Sequence, residues 1–385
     1  MKENSKKYSL VTQEIFVGLD VHKADIQLAV FDPSQRDVLE SKRVHTDAGI
    51  GRMIRELRRA YPEARIQLCY EAGPTGYGLS RRLNAEEGFH CRVIAPSMTP
   101  KRPGERVKTD RRDARKLAEF LQAGLLTEVH PPSEDDEALR ELSRARQSIC
   151  EDVRAAKQKL SAFMLRHGRR FDGTKSNWTK KHYEWLEAQR FEHRYLQYAF
   201  DTRLRALMQA NDRLAEADRM LEEASAEPAI AQQVDLLRCF KGVDTITAMA
   251  LATELYDFYR FDSPTGLMSF LGMTPSEHSS GQSQSRGGIT RAGNTRIRRL
   301  LVEAARNVVR SNKTGRAARK RREGQPGWAV DIAEKAQIRL HRRYWALVSK
   351  GKEPNKAIMA IAREFAGFIW AMLAEQTQRS QPDVA

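Results

Sequence analysis

The stretch IFVGLDVHKADIQLAVF, residues 15–31, contains two short apolar segments separated by a polar break. The first segment ends at Asp20, and the second alternates apolar and polar residues through Ile26, Leu28 and Val30. Alternation with a period of two is typical of β-strands, and two such strands around a short polar break form a hairpin. We therefore predict a β-hairpin over this stretch.

Strand and helix patterns alternate downstream of the hairpin. We predict a helix around IGRMIRELRRAY (50–61), a strand at RIQLCYE (65–71), a glycine-rich turn at AGPTGYG (72–78), another helix, and a strand at CRVIAP (91–96). Strands that alternate with helices predict an α/β domain, which we place at residues 1–128.

Two long helices are predicted over residues 129–230. Pro131 and Pro132 precede SEDDEALREL, which is typical of a linker that leads into a capped helix. Apolar residues then recur every seven positions, which indicates a coiled-coil hairpin broken near RRFDGTKSN and favours a dimer or tetramer assembled through it. The two series are Leu142, Ile149, Ala156 and Phe163, with Val153 and Leu160 between them, and Phe200, Leu207, Leu214 and Leu221.

The remaining chain has a compact helical pattern over residues 231–375 and a polar tail over 376–385. It contains a loop rich in serine and glycine, a basic helix at NTRIRRLLVEAARNVVR (294–310) and an amphipathic helix pair over roughly 328–374. We therefore predict a mainly α C-terminal domain.

The charge balance indicates a polyanionic partner. The chain has 66 Lys and Arg residues against 50 Asp and Glu residues, a net charge of +16. Residues 286–322 hold 13 basic residues and one acidic residue, Glu303, so this segment alone carries +12. Such a concentration is typical of proteins that bind nucleic-acid phosphates.

The cysteines and the apolar runs indicate a cytoplasmic protein. Cys69, Cys91, Cys150 and Cys239 are far apart and form no Cys-x-x-Cys pair, so they predict neither a zinc site nor a disulfide framework. No run of about 18 apolar residues is apparent, and MKENSKKYSL at the start lacks the apolar core of a signal peptide. We expect reduced thiols and no membrane partner.

Two aspartates lie three positions apart in KTDRRDARKLAEF, residues 108–120. If the segment is helical, Asp110 and Asp113 lie on one face and could share a cation. The structural alternative is a helix start, with Thr109 or Asp110 as the N-cap and Asp113 in the first turn. The segment by itself leaves both interpretations open.

Other acids stand at the ends of predicted strands. Asp20 closes the first strand and Glu71 closes a later one, although the first could be a turn residue and the second a solvated acid. A sheet can bring such residues together above its rim, and several carboxylates in one place repel one another unless a cation binds. Carboxylate oxygens suit Mg²⁺, and two such ions can hold the attacking and leaving oxygens of a phosphodiester.

Three segments, in this order and at this spacing, resemble the N-terminal domain of insertion-sequence transposases that have a RuvC-like DEDD domain: GLDVHK (18–23), YEAGPTGYGL (70–79) and KTDRRDARKLA (108–118). FLGMTPSEHSSGQSQSRGGITRAGNTRIRRLLVEAA (270–305) resembles the C-terminal transposase domain of the same family. The resemblance covers nearly the whole chain. It implies an α/β RNase-H-like fold for the first domain and a DNA transposase or recombinase that cuts and rejoins element and target DNA.

The resemblance also implies the site residues. Asp20, Glu71, Asp110 and Asp113 would be the four metal-binding acids that hold Mg²⁺. In the family, a serine directly before the glycine of the loop SEHSSGQSQSRGG is the recombinase nucleophile.

That position is Ser280, with Ser279 as the adjacent rival. From composition alone the segment is a polar loop. A serine hydroxyl needs a base or a metal ion to help remove its proton. We therefore expect a composite active site if the two domains meet, within one chain or across a dimer.

Five arginines surround the glycine-rich start of the basic helix, where guanidinium and backbone N–H groups could both bind phosphate. They are Arg286, Arg291, Arg296, Arg298 and Arg299. A solvated basic helix is the alternative. We expect DNA as a partner, and the resemblance adds that some family members use an element-encoded structured RNA to pair with target and donor DNA.

The segment KGVDTITAMALATEL, from Lys241, resembles the helix-hairpin-helix often found in this domain, which binds phosphates through backbone amides. Asp244 occupies the position of the usual second glycine. A purely structural hairpin is therefore an equal alternative.

Three other functions fit parts of the sequence. A RuvC-like junction endonuclease would use metal-activated water, with Ser280 as an ordinary loop residue, and would form no covalent protein–DNA intermediate. A non-catalytic nucleic-acid-binding scaffold would lack Mg²⁺-dependent cleavage that depends on Asp20. GLDVHK before a hairpin also resembles the actin-like sugar kinases, although the further glycine-rich phosphate loops that those enzymes need are not found.

Overall fold

The chain divides into two compact units, Met1–Pro131 and Pro132–Ala385. The computed structural model describes residues 13–34, 37–100, 109–173, 176–277 and 286–380. The division falls between the two prolines that we assigned to a linker. The finer domain boundaries, near residues 128, 230 and 375, stay predictions.

Across its described residues, the first unit contains six strands and three α-helices. The strands are β1 (Glu14–Val21), β2 (Asp25–Asp32), β3 (Asp37–Val44), β4 (Arg65–Glu71), β5 (Phe89–Ile94) and β6 (Glu128–Val129). The helices are α1 (Asp47–Ala60), α2 (Gly78–Asn84) and α3 (Asp110–Gln122), and a short 3-10 helix spans Pro96–Met98.

The six strands form one mixed sheet in the order β3-β2-β1-β4-β5-β6. The predicted hairpin is confirmed, since β1 and β2 pair antiparallel with Val17 opposite Val30. β3 continues the antiparallel part, β4 and β5 run parallel to β1, and β6 pairs antiparallel with β5. This mixed sheet with its helices is consistent with the predicted RNase-H-like DEDD domain.

The sequence does not predict β3 or β6. β3 has the sequence DVLESKRV, in which charged residues interrupt the alternation of apolar and polar residues. Charged residues are common in edge strands, and β3 lies at the edge of the sheet. β6 has two residues and forms only by pairing with β5. Both strands depend on tertiary contacts for their existence.

Helices cover the two faces of this sheet. Alternate residues of β1, among them Val17 and Leu19, share a core with Met53 of α1 and Leu83 of α2. The opposite face packs against α3, where Cys69 of β4 belongs to a smaller cluster. Because side chains alternate between faces along a strand, Gly18 and Asp20 lie on the face that α3 covers.

The second unit is mainly helical in the part that the structure describes. Its helices are α4 (Glu134–Arg166), α5 (Lys180–Glu187), α6 (Arg194–Ala224), α7 (Ala231–Arg238), α8 (Thr245–Leu255), α9 (Pro264–Phe270), α10 (Thr295–Arg310), α11 (Arg316–Arg322), α12 (Gly327–Ser349) and α13 (Pro354–Ser380). A 3-10 helix spans Phe258–Arg260, and β7 (Pro275–Glu277) pairs with β8 (Arg286–Ile289). The predicted helical C-terminal region is confirmed.

The two long helices, α4 and α6, pack against each other. α4 begins as predicted at an N-cap, where Ser133 accepts a hydrogen bond from the Asp136 backbone N–H at 3.0 Å. Leu160 and Phe163 of α4 share a core with Phe200 and Leu207 of α6. The apolar stripes are therefore buried in a helix pair within one chain, while a supercoiled coiled coil and a dimerisation role stay predictions.

α13 is long and apolar enough, by length and composition, to cross a membrane, but half of its most apolar window is buried inside the second unit. Ile361, Phe365 and Ile369 of α13 belong to the main core of that unit, together with Leu301 of α10 and Leu340 of α12. A core helix of a globular protein has the same properties. The helix also extends through the first part of the predicted polar tail, to Ser380.

Candidate active site

Asp20 and Glu71 lie at the same edge of the sheet. β1 and β4 are parallel neighbours, and Leu19 pairs with Tyr70 just before the two acids. Asp20 is half-buried, whereas Glu71 is exposed. Parallel strands bring their carboxyl ends to one rim, so acids that are about fifty residues apart in sequence become neighbours in register.

Gly18 allows α3 to approach the backbone of β1. A Cβ atom at this position would lie 2.0 Å from the Ala114 carbonyl oxygen and 2.6 Å from the Ala118 backbone nitrogen. Both alanines are fully buried. A glycine on the strand and two alanines on the helix therefore bring α3 against the strand that carries Asp20.

The start of α3 is capped and anchored at this rim. Thr109 is the N-cap and accepts a hydrogen bond from the Arg112 backbone N–H at 3.4 Å, and Asp110 and Asp113 occupy the first turn. Arg111 Nε lies 3.0 Å from Glu40 Oε2 of β3, which fixes the helix end to the sheet. The prediction that this segment starts a capped helix is therefore confirmed, with Thr109 as the N-cap. The cap uses the Thr109 hydroxyl, so the carboxylates of Asp110 and Asp113 can still act as metal ligands.

Asp20, His22 and Asp110 form a compact group. His22 Nε2 lies 3.2 Å from Asp20 Oδ2 and 3.7 Å from Asp110 Oδ1. One ligand atom from each of the three residues lies within 4.8 Å of the others, and among the described residues this is the group that could hold a metal ion. His22 has no predicted ligand role, because it follows the end of β1 and reads in the sequence as a turn residue.

Two predicted ligands lie outside this compact group. Glu71 accepts a hydrogen bond from Thr99 Oγ1 at 2.9 Å. Asp113, which is half-buried, is near enough to Asp20 for its charge to act on that carboxylate. The four predicted acids are therefore at one end of the sheet, with two of them at ligand distance in this arrangement.

Electrostatics at the rim disfavour the charged form of Asp20. Burial is the largest influence and raises the pKa of Asp20 above its ordinary value of 3.8, while the charge and hydrogen bond of His22 act in the opposite direction. The negative charges of Asp110 and Asp113 raise it further. A carboxylate in this environment gains stability when a cation binds beside it.

The predicted nucleophile lies between β7 and β8 in the sequence. β7 and β8 pair antiparallel, with Pro275 opposite Ile289. Ser279 and Ser280 fall within residues 278–285, outside the described residues. The structure therefore describes the base of the serine loop, and the role of either serine stays a prediction.

Arg298 holds the base of this hairpin from inside the protein. It is 8% exposed, and its Nη1 donates to the carbonyl oxygens of Leu271, Ala292 and Gly293 at 2.9, 2.7 and 3.2 Å. Gly293, with φ of 76°, lies so close to the Phe270 carbonyl oxygen that a Cβ atom would be 1.8 Å from it. The guanidinium of Arg298 is thus committed to the protein's own backbone.

Comparison with known proteins identifies the chain. A putative transposase, y4qE, from Sinorhizobium fredii is 41% identical over 368 residues, which cover 95% of this chain and 90% of that protein. The chain belongs to the IS116/IS110/IS902 family of transposases. The family model of that description matches residues 234–320, and the DEDD transposase model of IS110 matches residues 17–168.

Two further relatives span most of the transposase. A transposase for insertion sequence element IS1533 from Leptospira borgpetersenii is 32% identical over 345 residues, 89% of this chain and 99% of the relative. A probable family 20 transposase from Pseudomonas aeruginosa is 26% identical over 372 residues, 94% of this chain and 97% of the relative. The transposase is thus an enzyme of an insertion sequence that acts on DNA.

The DEDD domain of the transposase implies the use of a divalent metal ion, and the residues at the rim fit one. Neighbouring ligands of an octahedral ion with bonds of about 2.1 Å lie about 3.0 Å apart, and opposite ligands lie about 4.2 Å apart. The 3.2 and 3.7 Å separations around His22 fall in this range. Asp20, Asp110 and His22 would hold the ion, with Glu71 and Asp113 nearby.

A second group of charges lies in the helical unit of the transposase. Glu254 of α8 is buried and accepts two hydrogen bonds from Arg144 of α4, at 2.9 and 3.0 Å. Arg296 of α10 lies 3.3 Å from the same carboxylate and donates to the Ser143 carbonyl oxygen at 2.7 Å. Asn294, the N-cap of α10, donates to Glu254 at 2.8 Å. This group joins three helices directly beside the end of the serine hairpin.

The predicted phosphate-binding arginines of the transposase therefore differ in their surroundings. Arg296 and Arg298 donate to acceptors of the protein, whereas Arg291 and Arg299 are exposed. Arg299 Nη1 lies 3.8 Å from Glu151 Oε1, a surface pair of small strength. The backbone of Arg286 starts β8, and its side chain lies outside the described residues.

The segment that resembles a helix-hairpin-helix packs closely in the transposase. Gly242, with φ of 86°, lies against α10, where a Cβ atom would be 2.7 Å from the Ala304 carbonyl oxygen. Asp244 is the N-cap of α8 and accepts from the Thr247 backbone N–H at 2.8 Å. Lys241 Nζ donates to the Ser311 and Lys313 carbonyl oxygens. These contacts support the structural alternative for this hairpin.

Proposed function

We propose that this transposase cuts and rejoins element and target DNA with Asp20, Glu71, Asp110 and Asp113 holding Mg²⁺ and with Ser280 as the nucleophile. The observation that carries the proposal is the grouping of Asp20 and Asp110 ligand atoms at the carboxyl end of β1. Bound Mg²⁺ would stabilise negative charge on the phosphodiester and ease removal of a proton from the attacking hydroxyl.

In the proposed step, Ser280 Oγ forms a bond to phosphorus and loses its proton to a base in the site or to solvent. The bond between phosphorus and one sugar oxygen breaks, and that oxygen leaves as a hydroxyl after gaining a proton. Rejoining is the reverse reaction, in which a sugar hydroxyl attacks the phosphoserine and Ser280 leaves. The phosphoserine conserves the phosphodiester energy between the two steps, so no external energy source is required.

We also propose that exposed cations in the C-terminal part of the chain bind the nucleic-acid backbone. The net charge of +12 over residues 286–322 and the exposed Arg291 and Arg299 support this. An element-encoded structured RNA is a further proposed partner. Sequencing of RNA that copurifies with the chain tests it, and RNA of random origin would contradict it.

We infer that the chain acts in the cytoplasm as a dimer or tetramer. Large apolar residues of α6 are exposed, including Tyr195 and Tyr198, which are 62% and 68% exposed. Burial of such residues against a second copy would contribute to assembly. Light scattering on the purified chain should give a mass above the monomer mass of 43.9 kDa.

The metal role of the acids is tested by a matched pair of variants. Asp110 and Asp47 are both first residues of a helix that has a threonine N-cap, Thr109 in α3 and Thr46 in α1. We expect Asp110→Asn to reduce DNA cleavage by at least about 100-fold, because changes even in the outer shell of a metal site cost 10- to 100-fold. Asp47→Asn should retain cleavage, and equal effects of the two changes would show that Asp110 only stabilises the first turn of its helix.

The serine role is tested by trapping protein–DNA adducts from denatured reactions. The wild-type chain and Ser279→Ala should form a phosphoserine adduct, and Ser280→Ala should form none. Loss of the adduct in Ser279→Ala alone would assign the nucleophile to that residue. Metal-dependent cleavage by the wild-type chain without any adduct would instead support hydrolysis by water, as in a junction endonuclease.

A further inference from the structure

We propose that His22 is a nitrogen ligand in the metal site of this transposase and that it makes the site bind Mn²⁺ in preference to Mg²⁺. The proposal rests on the metal site of the proposed function. It adds an imidazole nitrogen to the carboxylate oxygens of the four acids, and His22 is not one of the four residues of the DEDD set.

The geometry places the imidazole between two carboxylates. Nε2 of His22 is 3.2 Å from an oxygen of Asp20 and 3.7 Å from an oxygen of Asp110. One ligand atom of each of the three residues lies within 4.8 Å of the others. The two separations from His22 Nε2 lie between the roughly 3.0 Å of adjacent ligands and the roughly 4.2 Å of opposite ligands around an octahedral ion, so the imidazole nitrogen is spaced from both carboxylates as a fellow ligand would be.

The turn between β1 and β2 holds His22 in this position. Its backbone N–H donates to the Asp25 carbonyl oxygen at 2.9 Å. His45 Nδ1 lies 2.6 Å from the His22 carbonyl oxygen, and since a carbonyl only accepts, the imidazole of His45 is the donor. The backbone of His22 is thus fixed from two sides, while its side chain is 50% exposed and accessible to an ion.

A nitrogen donor changes which ion the site prefers. Mg²⁺ is a hard cation that binds oxygen ligands and dehydrates reluctantly. Mn²⁺ also binds carboxylate oxygens, and as a first-row transition metal it belongs, at the weak end, to the series of ions that bind sites with nitrogen as well as oxygen donors. The difference between the Mn²⁺ and Mg²⁺ affinities should therefore be smaller for a site made of carboxylates alone than for a site that contains His22. The alternative is that His22 only offsets the negative charge of the acids without contacting the ion.

The experiment measures Mn²⁺ bound to the full-length metal-free chain by electron paramagnetic resonance. The wild-type chain should show hyperfine coupling between bound Mn²⁺ and an imidazole nitrogen, and His22→Ala should lose it. Titrations should show Mn²⁺ affinity about tenfold weaker in His22→Ala, a change of the size found when partners of a metal site are removed. Mg²⁺ affinity should change by less than about threefold, because Mg²⁺ depends on the oxygen ligands.

His90→Ala is the matched control. His90 is exposed and lies near the start of β5, whereas Asp20 and Glu71 lie at the carboxyl ends of β1 and β4, the strands parallel to it. Its removal takes an imidazole from the same unit without touching the acid group, so nitrogen coupling and affinity should equal those of the wild-type chain.

The outcomes separate this proposal from the proposed function. If Mn²⁺ binds and binding depends on Asp20 and Asp110, but the nitrogen coupling is absent or survives in His22→Ala, the ligand role of His22 is wrong and the metal role of the acids stands. If Mn²⁺ and Mg²⁺ affinities fall equally in His22→Ala, the selectivity is wrong. If neither ion binds, or Asp20→Asn leaves binding unchanged, both proposals are wrong.

Discussion

Two carboxylates in this transposase have opposite electrostatic surroundings. Asp20, at the rim of the sheet, has acids as neighbours, and burial together with those charges raises its pKa. Glu254, in the helical unit, is more deeply buried, and burial by itself would also raise its pKa. There the hydrogen bonds and charge of Arg144, with the charge of Arg296, outweigh burial and lower it.

The difference distinguishes the proposed metal site at Asp20 from the group around Glu254, whose charge is balanced by the protein's own side chains. Glu254 has two cations and the amide of Asn294 within hydrogen-bonding distance, so its charge is satisfied by the protein. Among the residues that the structure describes, the group that pairs with Asp20 is the imidazole of His22, at 3.2 Å. Removal of one member of a buried charged group leaves its partners unpaired and destabilises the fold, whereas acids that lie close together are stabilised in their charged form by a cation. The number of charged residues in the sequence near Asp20 or Glu254 would not reveal this difference in their surroundings.

The largest expected change in stability is at Glu254 and its arginine partners. Glu254→Gln should lower the free energy of unfolding by about 3 kcal/mol at neutral pH, because it leaves Arg144 and Arg296 without their counter-charge. Denaturant titration of the full chain measures this. Since the folded-state pKa of Glu254 is below its ordinary value of 4.5, the stabilisation is present above that pH and is lost as the pH falls through the lowered pKa.

Glu223→Gln is the control for this change. Glu223 pairs with Arg219 at 2.8 Å on the surface of α6, and its side chain is 58% exposed. The loss there should be below about 0.5 kcal/mol. Equal losses at Glu223 and Glu254 would contradict the claim that the buried group stabilises the second unit.

An intermediate effect is expected where α3 meets β1. Gly18→Ala should destabilise the first unit by about 1 to 3 kcal/mol, because the added methyl group overlaps the backbone of Ala114. It should also weaken Mn²⁺ binding, since α3 carries two of the acids. Thermal unfolding and metal titration measure the two effects.

Gly78→Ala provides the comparison. Gly78 is the first residue of α2, and no atom lies within 4 Å of the position of an added Cβ atom. This change should be neutral or stabilise by up to about 1 kcal/mol. If Gly18→Ala behaved in the same way, the close approach of α3 to β1 would not position the acids.

The smallest expected change in stability is an increase, and it is at Asp20. Asp20→Asn should raise the stability of the metal-free chain by about 0.5 to 1 kcal/mol at neutral pH, as replacement of strained site residues often does. The reason is the sign of the pKa shift: a carboxylate whose pKa is raised on folding destabilises the fold once it ionises. Added Mn²⁺ should then stabilise the wild-type chain and not the variant. Destabilisation by Asp20→Asn without metal would show that Asp20 is satisfied by the protein, like Glu254.

Much of the first unit is predictable from local patterns. The hairpin at Asp20, the strand ending at Glu71 and the helix starting near Asp110 each have a sequence signature, and each is present. β3 was missed because its charged residues hide the alternation, and the cap at Thr109 could not be told from a metal role by sequence alone. The cap and the acid group coexist, since one uses a backbone N–H and the other uses carboxylate oxygens.

Less of the site could be predicted. His22 reads as a turn residue until the hairpin and α3 bring it to both Asp20 and Asp110. Arg296 and Arg298 belong to a basic run that predicts phosphate binding, yet their guanidinium groups bind acceptors inside the protein. Sequence reports the charge of an arginine and does not report its partners.

By itself, the sequence predicted most of the strands and helices, the family and four candidate metal-binding acids, because periodicity and spaced motifs are local properties of the chain. Tertiary structure alone decided which charges are neutralised and which remain open to a ligand. Gly18 and Ala114 bring a helix against a strand, and the burial of Glu254 brings two arginines to it. The free energy of a charge depends on its neighbours in space, and the fold determines those neighbours.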